Sequence, residues 1–311
     1  MRYLHLDHVQ KPVSKIALGS TYFGSEIDVQ QALPMLDLFA ELGGTTLDTA
    51  RGYGSSEHVI GQWMQTNGMR DQMVVATKGL FPDPSGTSRY HHRDLSLDIQ
   101  QSQDALQTDS FDIWFLHRDA TEVPVDEVIG MLAEYVHSQQ IRCLGASNWS
   151  TQRIEAANAY AQKHNLPGFS VSEIQWSLAS CTPERWQDPT LVCMTEDELQ
   201  WYRNTGMPLF AFSTQAKGYF SKAIAQGIEA LSHKSRQRFH YPENEQKIAR
   251  VDQLSRELQV SPAAITIAYI TSAQPSSVAI VGCSSVGQLA DSLTAADVKL
   301  SADQLAFLEG R

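Results

Sequence analysis

The chain has 311 residues, of which 42% are hydrophobic and 19% charged, and its net charge is −11 with no cluster of lysine and arginine. This acidic balance argues against nucleic acid and anionic membranes as partners. No apolar run approaches the roughly 20 residues that a membrane span needs, and the N-terminus lacks the features of a signal peptide. The four cysteines form no CxxC pair and the histidines match no ligand spacing, so we expect a cytoplasmic protein with reduced thiols and no metal.

Short apolar or β-branched runs recur along the chain and predict eight β-strands. Most of them begin about 30 residues apart, which is the length of one strand–helix unit. Parallel strands joined by helices are typical of this spacing, because a parallel connection needs a long crossover. The runs are Ile16–Thr21, Thr45–Ala50, Met73–Lys78, Phe111–His117, Ile141–Ser147, Ser170–Trp176, Pro208–Ser213 and Val278–Gly282.

The stretches between these runs predict amphipathic helices. Ser55 followed by Glu57 is typical of a serine cap with an acid in the first turn. Val125–Ser138 carries its apolar residues at helical spacing. The regular alternation breaks after the seventh run, so residues 216–242 are expected to be a long loop with some helix. Further helices are expected at Thr151–His164, Thr195–Asn204, Glu243–Leu258 and Pro262–Ser272.

Eight strands that alternate with helices predict an α/β protein, a (β/α)8 TIM barrel that forms a single domain over residues 1–311. An open doubly wound sheet is the alternative, and it requires a G-x-G-x-x-G loop after the first strand. Gly19–Gly24 does not fit that loop. Gly52–Glu57 comes close but has glutamate in place of the third glycine, where a bulky acid would lie against a pyrophosphate.

Reactive side chains fall at the ends of consecutive predicted strands. Asp48 lies near the end of the second strand, with Tyr53 in the loop after it. Lys78 ends the third strand, His117 ends the fourth, and Asn148 follows the fifth. Active sites of β/α barrels lie at the carboxyl ends of the strands, so we expect these residues to converge on one rim.

The chemistry of this set fits proton donation to an oxyanion. A tyrosine keeps its proton at neutral pH, and a neighbouring Lys78 ammonium favours the phenolate and lowers the pKa of Tyr53. Asp48 is expected to pair with Lys78 and keep it charged. His117 can orient a carbonyl or share in proton transfer.

Four segments resemble the aldo-keto reductase family. Leu47–Gly61, read as L-D-T-A-R-G-Y-G-S-S-E-H-V-I-G, is similar to its D-T-A-x-x-Y-G-x-S-E-x-x-I-G signature. Ala76–Lys78 resembles the A/S-T-K segment, Phe115–His117 the L-H segment and Leu144–Trp149 the G-x-S-N-F segment. The resemblance runs in order over nearly the whole chain. It implies a barrel in which Tyr53 is the general acid, Lys78 and Asp48 tune it, and His117 steers the carbonyl.

The resemblance also implies a nicotinamide cofactor, NAD(P)H, bound in extended form across the strand ends. Ser147 and Asn148 fall where the family holds the carboxamide, and Phe212 falls where a ring stacks on the nicotinamide. Ser213–Gly218 occupies the position of the loop over the pyrophosphate, and Ile280–Ser285 that of the adenosine site. The cofactor-binding residues implied are Ser20, Thr21, Asp48, Ser147, Asn148, Gln175, Phe212, Ser213, Gln215, Lys217, Gly282, Ser284, Gln288 and Asp291.

Two departures from the family pattern bear on the cofactor. The family usually has glutamine where Glu173 stands, and either Glu173 or Gln175 is a candidate for the carboxamide contact. The adenosine loop has Ser284, Ser285 and Gln288 where the family commonly carries Lys and Arg that grip a 2′-phosphate. The family pattern favours NADP(H) and this loop favours NAD(H), which leaves NADP(H) slightly favoured.

Aromatic and polar side chains in the predicted rim loops suggest the substrate, with Tyr22, Trp149 and Arg118 as binding residues. Their mixture suits a small-molecule carbonyl, in particular a sugar-derived aldehyde or ketone. Two other functions stay open: a non-catalytic, cofactor-sensing regulatory barrel, and a Schiff-base aldolase with Lys78 as nucleophile. The loops expected to wall the pocket contain Tyr22, Phe23, Arg51, Phe81, Arg89, Tyr90, His91, His92, Arg118, Asp119, Trp149 and Trp176.

Overall fold

The computed structural model describes residues 1–83 and 88–311, and eight of its strands are parallel. The strands in these residues are β1 (Tyr3–Leu6), β2 (Val9–Ser14), β3 (Ile16–Gly19), β4 (Thr46–Asp48), β5 (Val74–Gly79), β6 (Phe111–Leu116), β7 (Ile141–Ser147), β8 (Val171–Gln175), β9 (Leu209–Phe212) and β10 (Ser277–Val281). Strands β3 to β10 close into a barrel in the order β10-β3-β4-β5-β6-β7-β8-β9. The eight predicted strands and the predicted fold class, a (β/α)8 barrel, are therefore confirmed.

Helices separate the barrel strands, as the apolar spacing predicts. In the described ranges they are α1 (Val29–Glu41), α2 (Ser56–Asn67), α3 (His92–Leu106), α4 (Val125–His137), α5 (Thr151–His164), α6 (Pro183–Trp186), α7 (Glu196–Thr205), α8 (Tyr219–Gln226), α9 (His233–Phe239), α10 (Pro242–Leu258), α11 (Pro262–Ser272), α12 (Val286–Leu293) and α13 (Ala302–Glu309). Within residues 1–83 and 88–311, none of them combines the length and apolar character that crossing a bilayer requires.

The described chain divides into two compact units. One comprises Met1–Arg2, Lys15–Ala17 and Ile174–Arg311, and the other comprises Tyr3–Ser14 and Leu18–Glu173. We call them the C-terminal unit and the N-terminal unit. The assignment of residues 1–311 to one domain stays a prediction.

Two local expectations were wrong. Ser55 precedes α2, but its hydroxyl donates to the Gly24 carbonyl at 2.8 Å and does not cap the helix. Glu57 is the expected acid in the first turn, and its buried carboxylate accepts from the Thr77 hydroxyl at 2.6 Å. Residues 216–242 are largely helical, since α8, α9 and two 3-10 turns fill them.

The hairpin β1–β2 was not predicted. Its strands pair antiparallel, and His8 in the turn has a φ of 69°, in the left-handed region that a tight reversal uses. Residues along β1 alternate between exposed and buried, which is the period-2 signal that identifies such a strand. The hairpin is anchored by Lys11, whose ammonium lies 2.9 Å from the buried Asp112 carboxylate.

The register of the sheet positions the reactive side chains. Asp48 pairs with Ala76, two residues before Lys78, and Lys78 itself pairs with Phe115. Farther round the sheet Ser147 pairs with Glu173. Strands β5 and β6 are buried along their whole length, as expected for parallel strands covered on both faces.

Candidate active site

Four ionisable side chains lie at the carboxyl ends of β4, β5 and β6, in the N-terminal unit. Asp48 is the last residue of β4, and Tyr53 lies in the loop that follows. Lys78 is the next-to-last residue of β5, and His117 directly follows β6. The structure thus brings together the four residues that the sequence suggested for catalysis.

Lys78 is at the centre of this cluster and is fully buried. Its ammonium donates to the Asp48 carboxylate and, at 3.1 Å, to the Thr49 carbonyl. A second carboxylate, that of Glu173, lies 3.3 Å from the same nitrogen. Burial by itself lowers the pKa of Lys78, but Asp48, Glu173 and Tyr53 together raise it above the ordinary value. A Schiff-base nucleophile needs a lowered pKa, so this environment argues against the aldolase hypothesis.

Tyr53 lies over Lys78 and holds its proton tightly. The Lys78 nitrogen is 5.5 Å from the centroid of the Tyr53 ring, and the Thr21 side chain shares a hydrogen bond with the phenol. Burial raises the pKa of Tyr53 to about 12, against the lowering effect of Lys78. Lys78 has the expected lowering effect on the pKa of Tyr53, but the net pKa is raised because desolvation of the phenolate outweighs the attraction of the nearby cation.

His117 packs beside Tyr53 as a neutral imidazole. The two ring centroids are 5.5 Å apart at an interplanar angle of 79°, and Phe81 covers another edge of the imidazole at 4.7 Å. Burial, with help from Lys78 and Arg118, lowers the pKa of His117 well below its ordinary value. A neutral imidazole donates one hydrogen bond and accepts another, which suits the orientation of a carbonyl oxygen.

Glu173 is a member of the cluster whose role sequence reasoning missed. The sequence suggests Glu173 only as a candidate for the carboxamide contact, whereas its buried carboxyl lies against Lys78. Gln175, two residues farther along β8, donates from its amide to the Ser177 hydroxyl at 3.2 Å. The sequence feature that could have identified this contact is the glutamate itself, since a glutamate in a fully buried strand needs a cationic partner.

Other predicted cofactor residues of the N-terminal unit also lie at strand ends. The Asn148 amide donates to the Ser147 hydroxyl at 3.0 Å, and both side chains are buried. Asn148 has a φ of 57°, which turns the chain sharply after β7. Ser20 donates to the Asp48 carbonyl at 2.8 Å, and Thr21 is exposed.

In the C-terminal unit, the segment after β9 has an unusual backbone. Phe212 is half-buried at the end of β9 and has Trp186 at its edge, with ring centroids 6.2 Å apart. Ser213, Ala216 and Lys217 have φ values of 55°, 47° and 53° although none is glycine. Such strained left-handed turns concentrate at ligand sites, where successive amides form anion-binding concavities.

Two cationic side chains lie near the Trp186 ring. The Lys217 ammonium lies 5.9 Å from the centroid of the Trp186 ring, and the Arg238 guanidinium lies 3.8 Å from it. Arg238 was not identified from the sequence, because it is far along the chain and follows no motif.

Most polar residues at the predicted adenosine site are exposed, among them Ser284, Gln288 and Asp291, whereas Ile280, Val281 and Cys283 are buried. Ser284 donates to the Gln288 amide oxygen at 2.9 Å, and Ser285 caps α12. Asp291 accepts from Ser261 at 3.0 Å, and Gln215 donates to Ser292 at 3.0 Å. Gly282, which follows β10, is exposed.

The three predicted substrate residues differ in exposure. Tyr22 is 41% exposed. Arg118 is half-buried, with its guanidinium 5.3 Å from the centroid of the Phe81 ring. Trp149 is fully buried and packs against Phe169 and Arg153.

Comparisons with known proteins agree with this geometry. A family model described as the aldo/keto reductase family matches residues 15–310. Norsolorinic acid reductase stcV of Emericella nidulans is 26% identical over 96% of this chain and 78% of its own. The probable aryl-alcohol dehydrogenase AAD4 of Saccharomyces cerevisiae is 28% identical over 90% of this chain and 87% of its own. The crystal structure of the thermostable aldo-keto reductase Tm1743 superposes with a TM-score of 0.77 at 21% identity, covering 100% of this chain and 99% of that one.

Proposed function

Because the chain belongs to the aldo/keto reductase family, we propose that it reduces an aldehyde or ketone to an alcohol with NAD(P)H, and that Tyr53 supplies the proton. The observation that carries the proposal is the buried Lys78, paired with Asp48 beneath the Tyr53 ring. A cation held there stabilises the phenolate that forms when the proton leaves, and does so most strongly in the transition state.

Each group of the cluster has a distinct part in this reaction. Tyr53 is protonated at neutral pH because its pKa is raised to about 12. His117 is neutral, so it can hydrogen-bond the carbonyl oxygen without carrying charge. Asp48 keeps the Lys78 ammonium charged and in place. When bound, the nicotinamide supplies the hydride to the carbonyl carbon.

Each unit, taken by itself, carries groups that suit part of a nicotinamide dinucleotide. In the N-terminal unit, the buried Ser147–Asn148 pair offers hydroxyl and amide groups for a carboxamide. In the C-terminal unit, the half-buried Phe212 offers a ring for stacking. The left-handed backbone at Ser213 and at 216–218 suits a pyrophosphate. We keep NADP(H) slightly ahead of NAD(H), although residues 282–291 carry no lysine or arginine for a 2′-phosphate.

Titration with NADPH and with NADH, followed by nicotinamide fluorescence, tests the cofactor assignment. We expect binding of at least one of them in the micromolar range, which corresponds to a binding free energy of about 8 kcal/mol. Turnover of a carbonyl compound by the same preparation then separates an enzyme from a regulatory barrel. Absence of binding by both cofactors would contradict the proposal, and binding without turnover of any carbonyl would favour the regulatory alternative.

The rim supports a substrate with a flat apolar face. Phe81 is 43% exposed, packs on His117 and lies under the Arg118 guanidinium. An aromatic carbonyl matches the Phe81 ring, and two relatives are named for aryl-alcohol and norsolorinic acid chemistry. A sugar-derived carbonyl is the alternative, since Arg118 can donate to hydroxyl oxygens.

Comparing kcat/KM for benzaldehyde with that for glyceraldehyde distinguishes the two classes. We expect Phe81→Ala to lower kcat/KM for benzaldehyde about 10-fold or more and to spare glyceraldehyde, as lost apolar contact predicts. Leu97→Ala is the matched control, because Leu97 is similarly exposed but lies on α3. If glyceraldehyde is the better substrate and Phe81→Ala changes nothing, the polyhydroxylated class is correct.

A further inference from the structure

Two carboxyl groups share one ammonium in the candidate site. Asp48 and Glu173 both reach Lys78, and all three side chains are almost completely removed from solvent. The Oε2 atom of Glu173 lies 3.3 Å from the Lys78 nitrogen, and the Asp48 and Glu173 carboxyl groups also share a side-chain hydrogen bond. The site therefore holds one more acid than its lysine can neutralise.

Charge balance in this buried cluster requires a proton on one of the two acids. With both carboxylates ionised, the three groups would carry a net negative charge without water to solvate it, which is strongly unfavourable. Asp48 makes the closer contact with Lys78 and keeps the ion pair. Glu173 therefore keeps the proton, and burial raises its pKa to about 8 against the opposing effect of Lys78.

We infer that Glu173 is a positioning residue that acts on Tyr53 through Lys78. Protonated Glu173 is neutral, and ionised Glu173 is a second counter-ion to Lys78. The inference rests on the proposed function, because it assigns Tyr53 as the proton donor. It concerns side chains of this chain alone, all within the N-terminal unit.

The groups that face Glu173 set the direction of its effect. They are Lys78 on β5, Asp48 on β4, Arg118 after β6 and the Tyr53 phenol. Ionised Glu173 reduces the electrostatic stabilisation of the Tyr53 phenolate by Lys78 and raises the pKa of Tyr53. Reduction needs protonated Tyr53 and alcohol oxidation needs its phenolate, so loss of the Glu173 proton favours reduction at high pH and opposes oxidation.

The kinetic test compares the pH profile of kcat for reduction in wild type and Glu173→Gln, at saturating NADPH or NADH. Glutamine resembles the neutral acid, so each pH profile is compared relative to its own maximum. In alkaline solution kcat for reduction falls as pH rises. We expect the midpoint of this fall to lie about one pH unit lower in Glu173→Gln, because the variant lacks the negative charge of ionised Glu173. Glu57→Gln is the matched control, since Glu57 is equally buried but bonds to Thr77. Its profile should coincide with that of wild type.

A second measurement needs neither cofactor nor activity. Folded Glu173 keeps its proton from its ordinary pKa of 4.5 up to about 8, whereas the unfolded chain loses it at the lower value. The folded state thus binds more protons in this window, and its stability falls as pH rises through it. We expect the urea midpoint of the protein without cofactor to fall more steeply across this window in wild type than in Glu173→Gln.

Parallel pH dependences of the urea midpoint in the two proteins would overturn the inference. So would coincident pH profiles of kcat, even if the enzyme is active. Failure of the proposed function has a different signature: wild type would turn over no carbonyl, while the two urea series would still decide whether Glu173 holds the proton.

Discussion

Replacing Tyr53 by phenylalanine is expected to lower kcat for carbonyl reduction by about 10²–10⁴-fold, the usual contribution of a positioned general acid. The variant loses the phenolic proton but keeps the ring that packs on His117 and over Lys78. Binding of NADPH or NADH should change little, because no predicted cofactor contact is removed. A loss confined to kcat identifies an interaction that is made in the transition state.

Steady-state kinetics and cofactor titration on the same preparation check this prediction. Tyr160→Phe is the matched control, since Tyr160 lies on α5 and stacks on His164 away from the cluster. Its kcat should equal that of wild type. A Tyr53→Phe enzyme with near wild-type kcat would show that another group gives the proton.

Replacing Lys78 by methionine is expected to abolish measurable reduction and also to destabilise the fold by about 3–5 kcal/mol, the usual result of removing one partner from a buried ion pair. The substitution leaves Asp48 and Glu173 together in a buried site without their cation. The stability loss should be smaller in acid, because Asp48 can then be protonated and neutral, as Glu173 already is.

Urea denaturation in neutral and in acidic buffer measures this effect. Lys163→Met on α5 is a control outside the site and should alter stability by less than about 0.5 kcal/mol. Adding Asp48→Asn to Lys78→Met should recover part of the lost stability, because it removes the carboxylate that Lys78 had neutralised. A pH-independent loss would show that poor packing of methionine, rather than stranded carboxylates, is the cause.

Local patterns in the sequence were sufficient to predict the barrel. Each strand is a buried apolar run, and each crossover needs a helix of nearly fixed length. The period of the apolar residues and the spacing of the runs therefore indicate the fold. Patterns failed where a tertiary contact replaces a local one. Serine is a common helix-capping residue, but the Ser55 hydroxyl donates to the Gly24 carbonyl instead. Residues 216–242 break the regular strand–helix spacing, but tertiary packing makes them largely helical.

The sequence by itself determined which side chains reach the candidate site. A closed parallel barrel puts the ends of all its strands at one end, so the order of Asp48, Tyr53, Lys78 and His117 along the chain already implied their convergence. It could not determine their protonation. The raised pKa of Tyr53 and the neutral His117 depend on how much water the surrounding chain excludes. The place of Glu173 against Lys78 likewise depended on tertiary structure, because only the closed barrel brings β8 and β5 side chains, about 95 residues apart in sequence, within 3.3 Å of each other.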